Sequence, residues 1–338
     1  MHASAHDVLV RVLMKKQKKG GGYQLKKHKT VEHGKYGLLF IVPFFLVFFV
    51  FQLYPLLYTF YNSLIFSAKN GRKLIEETGF GNFTHYVFGQ DGDGEIWKAL
   101  GVTAVLWILN FIPQILLALL LAAWFTDVRY HLKGTGAYKV IMYMPNIITA
   151  ATIAVLFYSL FETNGPFTTI LRNWGLATEN GILRSGWASL IIIAFIQFWM
   201  WYGNTMIVLT AGILGINPAL YEAAMVDGAS SKQQFFKITL PLLKPILQYT
   251  LVTSAIGGLQ MFDIPQLFND GGPIVKLGGG SSINSTTTVM MLIKKYTTAG
   301  ATQNMGRAAA YSIVLFVVTM AVSLVFYKVT QEKSKDGR

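Results

Sequence analysis

Six long apolar blocks separated by short polar segments, at about 37–65, 99–125, 137–161, 187–214, 245–268 and 308–329, constrain this chain more than any other feature. A helix needs about 20 mostly apolar residues to cross the hydrocarbon of a bilayer, where lipid offers no partner for an exposed peptide group. Composition agrees: 53% of the 338 residues are apolar and only 13% charged, against roughly a quarter charged in soluble domains. The blocks predict an all-α integral membrane protein with six transmembrane helices. The first block is too long for a signal-peptide core and is followed by no small-residue cleavage pattern, so it is expected to stay in the mature chain. The fifth is diluted by Ser254, Gly257, Gly258, Gln260 and Asp263. Cysteine is absent, which excludes a disulfide scaffold, a thiolate metal site and a cysteine nucleophile.

Orientation follows from lysine and arginine. With both termini cytoplasmic, the inside segments carry 19 of these residues and the outside segments 10. An even number of spans fits that arrangement. The net charge of +13 is concentrated before Tyr36, where nine Lys/Arg occur. On so hydrophobic a chain this arm, residues 1–36 with its Lys15-Lys16-Gln17-Lys18-Lys19-Gly20-Gly21-Gly22 tract, is expected to lie on cytoplasmic membrane lipid rather than on nucleic acid. Residues 37–329 form the six-span domain and 330–338 a cytoplasmic tail.

The polar segment between the fourth and fifth blocks has the grammar of a two-helix elbow. Asn217 can cap a helix that begins at Pro218, since asparagine accepts from orphan amides and proline has none to leave unpaired. Gly228 suits a left-handed C-terminal turn, and Ser231 with Gln234 has the spacing of a capping box for a second helix through Phe235, Phe236 and Lys237, limited by Pro241. Such order between two spans reads as a docking surface; the plain alternative is a self-packed loop.

Within this elbow, Glu222-Ala223-Ala224, three residues, Gly228, nine residues and Ile238-Thr239-Leu240-Pro241 match without a gap the signature of the permease subunits of binding-protein-dependent ABC importers. The context through Leu243, and Gly271-Gly272-Pro273 after the fifth block, resembles the carbohydrate branch related to the larger subunit of the maltose permease. The likeness runs at lower specificity from 37 to 327, and departs in lacking large outside insertions and in its long basic arm. The resemblance implies that the elbow inserts into a cleft on a cytoplasmic ABC ATPase; side-chain chemistry suits that role, since Phe235 and Phe236 can fill a partner pocket and Glu222 can pair with a basic residue. It also implies a second permease subunit, with a heterodimer favoured over a homodimer, an extracellular solute-binding protein, a sugar substrate, and a multi-pass place in a bacterial or archaeal cytoplasmic membrane.

The chain itself is not read as an enzyme. It has no Gly-x-x-x-x-Gly-Lys-Ser/Thr phosphate loop, and His2, His6, His28, His33, His85 and His131 lack metal-ligand spacing. No catalytic, cofactor or metal site is expected, so ATP hydrolysis falls to partner subunits. Polar groups within the spans are more telling, because they normally face a partner or water. Gln197, Trp201 and Asn204 stand at i, i+4 and i+7, with Met200 beside them; Ser254, Gly258 and Met261 repeat that spacing, with Gln260 and Asp263 near the outer end. Indoles lie against sugar C–H faces and amides match hydroxyls, so this set suits a carbohydrate. The resemblance aligns these positions, and Asn146 beside Pro145, with a central cargo pocket. Helix–helix glue is the competing account of each residue. The rival functions are a secondary carrier with Asp263 as its ion site and a non-transporting scaffold.

Overall fold

The computed structural model describes residues 34–70, 73–89, 94–127, 134–276, 282–298, 300 and 303–330. The lysine-glycine tract of the arm, the tail beyond residue 330 and all the histidines except His85 lie outside them. Two compact units divide the chain, residues 1–55 and 56–338. In the first, helix α1 (Gly34–Phe48) runs into a π-turn at Phe49–Leu53. Helix α2 (Tyr54–Ser63) follows it directly.

The second unit is built on α3 (Glu95–Thr126) and α7 (Gly186–Leu214), the two longest apolar helices in it, which pack along one another. Between them in sequence come α4 (Thr135–Ile147), α5 (Ala150–Phe161) and the short α6 (Pro166–Asn173). After α7 the chain forms α8 (Pro218–Val226), α9 (Ser231–Gln234), a π-turn at Phe235–Thr239, α10 (Leu240–Leu242) and α11 (Lys244–Leu259). It ends with α12 (Asp263–Asn269), α13 (Val289–Thr297) and α14 (Met305–Thr330). Two small antiparallel hairpins, which an all-α reading omits, join the helices: β1 (Ile65–Asn70) with β2 (Lys73–Thr78), and β3 (Ile274–Lys276) with β4 (Ser282–Asn284).

Among the described residues four helices are long and apolar enough to cross a membrane: Leu39–Ser63, Glu95–Thr126, Gly186–Leu214 and Met305–Val329. A fifth candidate is the pair Thr135–Ile147 and Ala150–Asn173, bent by 86°. The bend has a local cause. Ile148 and Thr149 are extended, and the Thr149 hydroxyl accepts from the Thr152 amide at 3.3 Å, starting α5 afresh. The fifth apolar block also breaks: α11 stops after 16 residues, and the chain turns through Gln260–Phe262 before α12. Of the residues that dilute this block, Gln260 and Asp263 fall at the break, while Ser254, Gly257 and Gly258 lie within α11.

Three apolar clusters hold the second unit together. One joins Leu106, Ile153, Ile193, Ile196, Ile264 and Phe268. A second, at the end remote from the elbow, joins Ile96, Ala99, Val289, Leu292, Ala310 and Tyr311. The third, toward the elbow, joins Ala118, Ala122, Met206, Leu209 and Leu243. Gly203 lets α4 cross α7 closely, because a Cβ there would strike the Met142 carbonyl and come within 2.9 Å of Tyr143 Cα. At the remote end Glu95 ties three elements: its carboxylate accepts from Tyr296 Oη at 2.7 Å, Arg307 Nη2 at 3.2 Å and Lys295 Nζ at 3.3 Å. The Arg307 guanidinium also lies over the rings of Tyr296 and Tyr86, 4.2 and 4.6 Å from their centroids. His85 stacks on Phe66 with ring centroids 4.8 Å apart.

Candidate functional site: a polar cavity and an exposed elbow

A cavity of about 490 Å³ opens between α3, α7, α11 and the start of α12. Gln197, Met200, Trp201, Asn204, Ser254, Gly258, Met261 and Asp263 all line it. Asn146 does not. Its Nδ2 donates to the Met200 carbonyl at 3.2 Å, fastening α4 to α7 behind the wall.

The lining side chains divide by what already satisfies them. Gln114 Nε2 donates to Thr205 Oγ1 at 2.7 Å, and that hydroxyl donates to the Trp201 carbonyl at 3.3 Å. Asn110 Nδ2 donates to the Leu106 carbonyl at 2.9 Å. Trp107 Nε1 donates to Ser254 Oγ at 3.1 Å. Gly258 is where α11 meets that indole: a Cβ on Gly258 would overlap the Trp107 ring. Ser254 and Gly258 are therefore accounted for by the seating of Trp107, whose ring also stacks on Phe111 at 5.6 Å. Met200 and Met261, each 7% exposed, belong to the apolar core as well as to the wall.

Gln197 differs. It is 8% exposed and faces the cavity, yet its amide makes no hydrogen bond among the described residues; the same holds for the amides of Asn204 and Gln260. The Gln197 amide opens on the cavity rather than being sealed from solvent, and Asn204 is half-buried and Gln260 exposed, so this wall presents hydrogen-bonding groups to water or a ligand. Trp201, 46% exposed, presents its ring at the same place. Sequence reasoning did not find the α3 wall. Its signal was present, since Trp107, Asn110 and Gln114 stand at i, i+3 and i+7 on one helical face of the second apolar block.

The elbow is exposed. No residue of α8 is buried; Glu222 and Ala223 are exposed, Ala224 is half-buried, and Val226 is 88% exposed. Asn217 Oδ1 accepts from the Ala219 amide at 3.0 Å, as its position before Pro218 predicts. Gly228 is left-handed, φ 75°, with no atom close to where a Cβ would stand. The capping box lies one residue earlier than its predicted place: Ser230 Oγ accepts from the Gln233 amide at 3.3 Å, and Gln233 Oε1 from the Ser230 amide at 2.8 Å. Ser230 is the residue that takes the extended backbone a cap requires.

Pro241 does not end the helix there either. The π-turn at Phe235–Thr239 immediately precedes α10, which contains Pro241, and helical backbone continues through Leu243 into α11. A proline ring clashes with the carbonyl four residues before it in a regular α-helix, and the widened turn relieves that clash. The same arrangement recurs in the first unit, where the π-turn Phe49–Leu53 stands just before Pro55. Phe235 and Phe236 meet edge to face at 5.1 Å. Both line a hollow of about 270 Å³ with Trp124, Thr126 and Tyr221. The Tyr221 and Thr239 hydroxyls bond at 2.9 Å, bracing α8 against the π-turn. Ile238 and Leu240 are half-buried, and Pro241 is exposed.

Comparison with known proteins places these features in a family. Residues 96–334 match the model for the binding-protein-dependent transport system inner membrane component. Among curated relatives, the lactose transport system permease protein of Rhizobium radiobacter is 32% identical over 70% of this chain and 76% of its own length. The trehalose/maltose transport system permease protein of Thermococcus litoralis is 30% identical over 87% of this chain and 93% of its own. Among solved structures, a chain of a bacterial ABC transporter involved in import of the acidic polysaccharide alginate superposes with a TM-score of 0.67 at 22% identity, covering 90% of this chain and 98% of that one. This likeness shows the fold. The chain therefore belongs to the family of inner-membrane permease components of binding-protein-dependent ABC transport systems.

Proposed function

We propose that this chain forms one half of the translocation path of a sugar importer, and that the cavity on α3, α7 and α11 is where the sugar passes. The observation that carries this reading is Gln197, whose amide opens on the cavity and bonds to no other described residue, on a wall that also offers an indole face at Trp201. An oligosaccharide or glycoside supplies what such a wall lacks, hydroxyls for the amides and C–H faces for the ring. Relatives named for lactose and for trehalose/maltose support the same cargo class. In this reading the chain crosses the membrane six times with both termini cytoplasmic, the broken segments counting as spans, and residues 1–36 form a membrane-surface arm. The elbow residues Glu222, Ala223, Ala224, Gly228, Phe235, Phe236, Ile238, Leu240 and Pro241 couple it to a separate cytoplasmic ATPase. A second permease subunit and an extracellular solute-binding protein complete the assembly.

The test is transport per assembled complex across several oligosaccharides for Trp201→Ala and Asn204→Leu. Loss of a matched polar contact of about 1–3 kcal/mol lowers uptake by about one to two orders of magnitude, to an extent that varies with the sugar. Equal losses for every sugar, following complex abundance, would make this face helix packing and move the cargo elsewhere. Uptake that survives removal of the ATPase but collapses with the ion gradient would identify a secondary carrier instead.

A further inference from the structure

The cavity wall is uncharged except at one point. Its ionisable side chains are Tyr249 and Asp263, and no lysine, arginine or histidine is among its lining residues. Asp263 is the first residue of α12, exposed at the mouth of the break between α11 and α12. The cation beside this region, Lys294, lies over the Phe262 ring, 5.3 Å from its centroid, and is not part of the lining.

An anionic cargo is normally held by arginine or lysine, whose charge-assisted hydrogen bonds offset the desolvation of a carboxylate or phosphate. Here the hydrogen-bonding groups turned to the cavity are the neutral amides of Gln197, Asn204 and Gln260. These have donor and acceptor at one site and so match a hydroxyl, which is itself both. The one fixed charge is negative. Two like unit charges about 5 Å apart, at an effective dielectric constant of about 20, repel strongly enough to weaken binding about a hundredfold. In bulk water the same pair would be worth about fourfold, so about tenfold is the order expected at the cavity mouth.

We infer that the half of the path built by this chain admits uncharged oligosaccharides and rejects those bearing a uronate or phosphate, with Asp263 as the specificity-determining residue. The inference rests on the sugar reading above and sharpens it.

The experiment is equilibrium binding to the purified, fully assembled transporter in nanodiscs, followed by quenching of tryptophan fluorescence. The probes are maltotetraose, cellotetraose and lactose, each paired with the derivative in which one C6 hydroxymethyl is oxidised to a carboxylate. A neutral sugar that binds should do so at least about tenfold more tightly than its acidic partner. Asp263→Asn should bring that ratio to within about threefold by strengthening the binding of the acid; Asp263→Ser serves if the asparagine variant does not assemble. Equal affinity for both members of a pair in the unmodified transporter, preference for the acid, or a ratio that neither variant alters would overturn the inference while leaving a sugar path intact. If no saccharide of either charge binds an assembled complex, the sugar reading itself falls, and this inference with it.

Discussion

At the scale of single residues, the cavity wall separates groups that hold the protein together from groups left for something else. Gly258 belongs to the first kind. Gly258→Ala forces a methyl into the Trp107 ring, an overpacking of about 1–3 kcal/mol. The expected outcome is less folded complex and unchanged discrimination among sugars, and Trp107→Leu in the same chain should restore part of the yield. A thermal denaturation series on the single and double variants decides it. Tyr296 gives a second test. Burial, the hydrogen bond to Glu95 and the Glu95 charge together raise its phenol well above the ordinary value of 10. The folded protein thus keeps a proton that the unfolded chain loses near pH 10, so this contribution to stability is full below that pH and declines as pH rises above it. Tyr296→Phe should be less stable than the parent at pH 8, with a shallower decline in melting temperature between pH 9 and 11. A parallel decline would contradict the assignment. The α7 wall was legible in the sequence because amides and an indole stood out against an apolar background at helical spacing. Asn146, which only the resemblance set beside the pocket, is not in the cavity lining, and its amide donates to the Met200 carbonyl instead.

At the scale of elements, the elbow was the most readable part of the chain, since caps and left-handed turns are written in one to three adjacent residues. Asn217-Pro218 and Gly228 act as those residues dictate. The capping box slipped by one position because Ser230 and Ser231 offer the same side chain and the following two glutamines the same partner, leaving backbone geometry to choose. The continuation past Pro241 was hidden, since a π-turn depends on how a longer helical run is held at both ends. Gly228→Val should strain the turn at φ 75° without meeting any neighbour. Membrane insertion and complex assembly are therefore expected to persist while ATP-driven uptake drops by about tenfold or more, the cost of a β-branched residue in that region being about 1–3 kcal/mol. Full uptake by that variant, measured against protein level, would remove the elbow from the coupling route.

At the scale of the whole molecule, apolar block length showed where helices form and could not show where they break. Composition alone does not distinguish a straight span from one that folds on itself at Thr149 or at Gln260. The positive-charge bias predicts the sidedness of the loops. In intact cells a single cysteine at residue 230 should resist a membrane-impermeant thiol reagent, and one at residue 175 should react. Labelling of 230 from outside would invert the topology and with it every role assigned to the elbow.

The 86° bend between α4 and α5 has a consequence for how the protein is made. The last carbonyls of α4 and the first amides of α5 have no helical partner across the break, and hydrocarbon would charge several kcal/mol for each left bare. If the pair is one span, it is expected to leave the translocon poorly on its own. Its packing partner is α7, where Gly203 lets α4 approach and the Met200 carbonyl accepts from Asn146. Chains truncated before residue 186 should therefore be held at the translocon or degraded, whereas chains reaching residue 214 should partition into the bilayer, the outcome expected if these segments insert as a pair.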